Sequence, residues 1–99
     1  MKIYGSEICS GCRAFKALMA ERGFEAEFIE ITENVANLRA FLKLRDTQKC
    51  FDSIRAEGRI GIPVFENDDG EITLDENVAL SWIGQPPMEE EEPSCASCK

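Results

Sequence analysis

Four residues, Cys9-Ser10-Gly11-Cys12, constrain this chain more than any other stretch. They follow a short apolar run at Ile3-Tyr4, across a turn at Gly5-Ser6-Glu7. After Cys12 the apolar residues fall at helical spacing, at Phe15, Leu18 and Met19. A strand, a turn and a helix opening on Cys-x-x-Cys form a redox-motif signature.

The placement favours thiol chemistry. Cys9 falls at the predicted start of the helix, where the positive end of the dipole stabilises an anion. The thiolate is the nucleophilic form of cysteine, and thiols at helix starts ionise more readily than free cysteine. Cys12 lies one turn further on, on the side of Phe15 and Met19, and is expected to be the less exposed thiol. That suits it to resolving a mixed disulfide formed on Cys9. Ser10 and Gly11 keep the turn pliable, so that the two sulfurs can approach. The competing uses of such a pair are a zinc half-site and two small core residues. Zinc needs a second pair of ligands, and the chain has no histidine.

Ninety-nine residues, 43% hydrophobic and 30% charged, make one globular domain with a modest core. No apolar run approaches membrane-spanning length. Met1-Lys2-Ile3-Tyr4 enters a strand at once, so no signal peptide is expected and the expected location is cytoplasmic. In that reducing compartment, paired cysteines point to catalysis or metal binding rather than structural bridges. The formal net charge is −8, of which the segment from Gln85 to Lys99 carries −3. The remaining −5 on the body argues against nucleic acid and anionic membranes as partners.

Along the chain, Lys2 to Gly5 reads as a strand and Ser10 to about Arg22 as a helix closed by Gly23. Glu25 to Ile31 reads as a second strand, so the unit is βαβ with parallel strands and a right-handed crossover. Thr32 or Asn34 can cap the next helix, along which Val35, Leu38 and Leu42 keep helical spacing beside Phe41. Asp46 or Thr47 interrupts it. A further short helical piece presents Phe51 and Ile54 and stops at Gly58. Cys50, next to Phe51, reads as a small packing residue, with a regulatory or dimer-forming thiol as the rival. Gly61-Ile62-Pro63-Val64-Phe65 begins a third strand, Asn67-Asp68-Asp69-Gly70 is a turn, and Glu71 to Leu74 completes a hairpin. Asp75 can cap a last helix to Ile83, with Val78 and Trp82 as its buried side. Gly84 and Pro86-Pro87 end it. Residues 1–84 thus form the domain. Residues 85–99 form an acidic tail, expected to be extended, carrying a second Cys-x-x-Cys at Cys95 and Cys98.

In this β-α-β-α-β-β-α order, residues 1–84 resemble a glutaredoxin, within the thioredoxin-like fold. The resemblance rests on Ile3-Tyr4 leading to Cys9-x-x-Cys12, on Ile62-Pro63-Val64 before the hairpin, and on the capped helix at Asp75-Glu76. It implies an α/β fold with a four-stranded mixed sheet flanked by helices, and a cis Pro63 beside Cys9. It also implies a thiol–disulfide oxidoreductase that reduces protein disulfides or glutathione mixed disulfides. Cys9 and Cys12 would be catalytic, and Ile62, Pro63, Asp75 and Glu76 would bind substrate or glutathione. No tightly bound cofactor is implied; glutathione would be a co-substrate. The partner would be a disulfide-bearing protein or a low-molecular-weight thiol, and the protein a monomer.

Four positions depart from the family pattern. Ser10 and Gly11 replace the usual proline and aromatic. Ser6 stands where a lysine or arginine is usual. Gly61 replaces a threonine two residues before Pro63, and Thr73-Leu74 lies where paired glycines precede the last helix. Arg55 or Arg59 is a candidate replacement for the missing cation. Two alternatives remain open. Cys9 and Cys12, with or without Cys95 and Cys98, can form a zinc or iron–sulfur site, in one variant shared with glutathione between subunits. Cys95 and Cys98 can instead act as a second dithiol, or as a tethered substrate mimic.

Overall fold

The structure is a computed structural model that describes residues 1–87. Cys95 and Cys98, and the readings that depend on them, lie outside the described residues. Strand β1 (Lys2–Gly5) leads into helix α1 (Ser10–Glu21), strand β2 (Glu27–Glu30) and helix α2 (Val35–Thr47). A 3-10 turn (Lys49–Phe51) and helix α3 (Asp52–Ala56) precede strands β3 (Val64–Glu66) and β4 (Ile72–Thr73), and helix α4 (Glu76–Trp82) closes the order. The fold is mixed α/β, and its four strands form one sheet in the order β2-β1-β3-β4. β1 pairs parallel with β2 and antiparallel with β3, and β3 pairs antiparallel with β4.

Alternation along β1 builds two cores, because successive strand residues point to opposite faces. Ile3 packs with Phe15, Met19, Phe65, Ala79 and Leu80, which places α1 and α4 on one face. Tyr4 packs with Phe41, Phe51, Ile54, Ile62 and Val64, which places α2 and α3 on the other. The helix ends obey local chemistry. Asn34 and Asp75 cap α2 and α4, accepting hydrogen bonds from the Asn37 and Asn77 amides. Of the two candidate caps for α2, Asn34 is the one used.

Three packing expectations are corrected. Val35, Leu38 and Leu42 are exposed, Val35 at 66%. The inward face of α2 runs instead through Phe41, whose ring meets Phe51 edge-on at 6.1 Å, with Leu44 packed beside it. Cys50 is exposed rather than packed. With three residues per turn, the 3-10 segment that buries Phe51 turns its neighbour outward. On α4 the buried residues are Ala79 and Leu80; Val78 is exposed and Trp82 only partly covered. Strands β2, β3 and β4 are each shorter than the spacing predicts.

Candidate functional site

The site begins where β1 ends. Ser6 is buried, and its backbone carbonyl accepts the Cys9 amide at 3.0 Å, which closes the turn that delivers the cysteine. Cys9 is the N-cap of α1, and its carbonyl accepts the Arg13 amide at 3.0 Å. No acidic residue stands in the first turn of α1 to oppose a negative sulfur. Cys9 is 9% exposed and Cys12 is fully buried, so the expected order of accessibility holds. Cys9, Cys12 and Cys50 are all thiols.

The loop before β3 supplies the opposite wall. The Ile62–Pro63 peptide bond is cis, as the resemblance implies. The Cys9 thiol donates to the Ile62 carbonyl oxygen at 4.0 Å, a long contact appropriate to a weak sulfur donor. Residues 53 positions apart in sequence therefore meet at one sulfur. Gly61 carries φ +91°, and a Cβ there would lie 2.6 Å from the Phe51 ring. Neither the backbone nor the space admits a larger residue. Arg45 of α2 fixes the loop from outside, donating to the carbonyls of Arg59 and Ile60.

Between these walls lies an open groove of about 370 Å³, lined by Ile8, Cys9, Ile31, Ile60 and Ile62, with Arg13, Ser6, Ser10 and Thr32 supplying its polar atoms. Arg13 donates to the Glu7 carbonyl at 2.7 Å. Glu7 pairs with Lys16, which also lies 4.3 Å above the Phe28 ring.

A polar chain missed by the sequence reading holds the other end of the groove. Thr32 donates its hydroxyl to the Glu30 carboxylate, so Thr32 Oγ1 must accept from Ser6, 3.2 Å away. Ser6 Oγ accepts the Ile8 amide at 3.3 Å, and Glu30 accepts the Glu7 amide at 2.9 Å. The Thr32 hydroxyl, aided by Ser6 and the Glu7 amide, holds the Glu30 carboxyl below the usual glutamate value. Ser6 directly follows β1 and Thr32 stands two residues past the end of β2, and the register that pairs Gly5 with Glu30 brings the two hydroxyls together.

The remaining predicted residues fall elsewhere. Pro63 is buried and does not line the groove. Asp75 is exposed as the α4 cap, and neither it nor Glu76 lines the groove. Arg55 is bonded to Asp52 and to the carbonyls of Arg45 and Gln48, and Arg59 lies 2.7 Å from the Glu57 carboxylate. Neither arginine lines the groove. Among the described residues, no three Cys, Asp or Glu side chains gather as a metal-binding group. No helix among them is long and apolar enough to cross a membrane.

Fold and groove together define a mixed α/β protein with a cysteine set at the head of its first helix, against the loop that enters β3. No protein-family model matches the chain, and no solved structure matches it. An uncharacterized protein of Haemophilus influenzae is 32% identical to it over 73 residues, covering 74% of this chain and 85% of that protein. The chain belongs to the same family as that protein.

Proposed function

We propose that this protein is a glutaredoxin-like thiol–disulfide oxidoreductase of thioredoxin-like architecture, acting as a monomer in the cytoplasm. The observation that carries the reading is the meeting of the Cys9 sulfur with the Ile62 carbonyl at 4.0 Å, at the open end of a groove. The sulfur sits at the positive end of α1, and its neighbour Cys12 is shielded from solvent.

The chemistry is a two-electron exchange. The Cys9 thiolate attacks one sulfur of a substrate disulfide, the substrate S–S bond breaks, and the departing thiolate takes a proton. Cys12 then gives up its proton and attacks the Cys9 sulfur, releasing the second substrate thiol. One disulfide has become two thiols, and the Cys9–Cys12 dithiol has become a disulfide. Two glutathione molecules, which leave as glutathione disulfide, or one protein dithiol return the two electrons. The Ile62 carbonyl stands beside the attacking sulfur, where an extended substrate backbone can pair with it.

The test is the reduction of a small symmetrical disulfide by the full chain, with Cys9→Ser as the comparison. Turnover lost in the variant supports the reading. Turnover unchanged in the variant, or absent in both proteins, overturns it.

A further inference from the structure

Resting on that reading, we infer that the groove selects a disulfide-bearing polypeptide segment that is aliphatic beside its cysteine and net cationic, rather than the anionic tripeptide glutathione. Two isoleucines flank Cys9 at the surface: Ile8 is 80% exposed and Ile60 is 53% exposed. Behind them Ile31 and Ile62 are buried and line the same groove. Four branched aliphatic side chains around one sulfur offer an apolar seat, and nothing in glutathione has an aliphatic side chain to fill it. A leucine or isoleucine next to a substrate cysteine loses its water-exposed surface there.

Charge points the same way. Glutathione presents two carboxylates. Among the described residues Arg13 is the one cation lining the groove, and its guanidinium already donates to the Glu7 carbonyl. The opposite end carries the Glu30 carboxylate, bonded to the lining residue Thr32. Among the described ion pairs none involves Glu30, whereas Lys16, Arg55 and Arg59 are each matched to a carboxylate elsewhere. The chain as a whole is −8, so an anionic tripeptide approaches against the field and a lysine-bearing segment approaches with it. Ser6, in the place of the family's cation, serves the turn instead, accepting the Ile8 amide and donating to Thr32.

The probes are two mixed disulfides of 2-mercaptoethanol. One is with a pentapeptide amide that has leucine and isoleucine beside its cysteine and lysine at both ends. The other is with glutathione. The full-length wild-type chain is expected to reduce the peptide with kcat/KM about tenfold above glutathione, mostly through KM. Ile60→Ser is expected to lower that ratio severalfold, and Glu30→Gln to flatten the fall of the ratio with added salt. Equal values, or preference for glutathione, with turnover that still requires Cys9, overturn the inference and leave the oxidoreductase reading standing. Turnover of both probes that does not require Cys9, or no turnover of either, overturns both.

Discussion

Cys12 Sγ fills the space in which a side chain on Gly5 would begin: a Cβ at Gly5 would lie 2.7 Å from that sulfur and 3.3 Å from the Phe28 ring. The last residue of β1 is thus fitted to the second cysteine of the motif, and the fit fixes how deeply Cys12 can sit beneath Cys9. Gly5→Ala forces the sulfur or the strand to move. The expected cost is about 1–3 kcal/mol, the range for overpacking a full core. Thermal unfolding should register this as a drop on the order of 5–15 °C. An unchanged melting temperature would show that the Cys12 side chain has room to retreat.

Gly61 meets two obstacles at once. An alanine there takes a left-handed backbone with φ +91°, and its Cβ lies 2.6 Å from the Phe51 ring and 3.0 Å from Ile54. Strain and overpacking together should destabilise the fold by about 2–4 kcal/mol. Because the loop also carries Ile62, disulfide reduction should fall further than the unfolded fraction explains. Chemical denaturation and turnover measured on the same preparation separate the two effects.

Removing Cys12 should halt the exchange halfway. With Cys12→Ser, the bond between Cys9 and the substrate sulfur loses the neighbouring thiol that would break it. Intact-mass measurement of a chain that also carries Cys95→Ser and Cys98→Ser, after incubation with a disulfide peptide, should find one peptide held per chain, released by added dithiothreitol. Peptide mapping should place it on Cys9 and leave Cys50 unmodified or modified only slowly.

The single tyrosine gives a clean titration. Burial, followed by the Glu66 charge and hydrogen bond and the Glu27 charge, raises the Tyr4 phenol above its ordinary value of 10.0. The phenol donates to Glu66 at 3.3 Å. A raised value means that the stabilisation is present below pH 10.0 and is lost as pH rises through the folded-state value. Ultraviolet difference titration should show late ionisation of the native protein. Glu66→Gln should bring it back only in part, since burial is the larger cause.

Glu30 works in the opposite direction. Its carboxyl is held below the ordinary 4.5, first by the Thr32 hydroxyl. The associated stability is therefore present above pH 4.5 and disappears as pH falls through the lowered value. Glu30→Gln should be less stable than wild type at neutral pH, and the gap should close on acidification. Urea midpoints measured across that range would show it.

Much of the frame was legible because it is written in local chemistry. Asn34 and Asp75 are capping residues in cap positions, the glycines that end α1 and α3 carry positive φ, and the alternation at Ile3-Tyr4 fits a strand covered on both faces. The approach of Ile62-Pro63 to Cys9 was legible only through the family resemblance, as no local pattern links residues that far apart. The face of α2 was misread because Val35, Leu38 and Leu42 share one stripe and Phe41 with Leu44 another. Spacing allows either to point inward, and the Phe41–Phe51 contact decides. Cys50 was misread because its neighbour takes the core position. The chain from Ser6 to Thr32 to Glu30 escaped notice because each residue looks ordinary alone. The need for glycine at position 61 comes from the Phe51 ring ten residues earlier, a contact that no local pattern announces.

The two neighbours Ile3 and Tyr4 each plug a different core. A change in the residue count of β1 therefore exchanges the two faces, and with them the two cores. Deleting one residue upstream of Gly5 would rotate the phenol into the Phe15 layer and drag the first sulfur about 3.3 Å along the strand, away from its carbonyl partner. The opening strand acts as a ruler from which the position of Cys9 is measured.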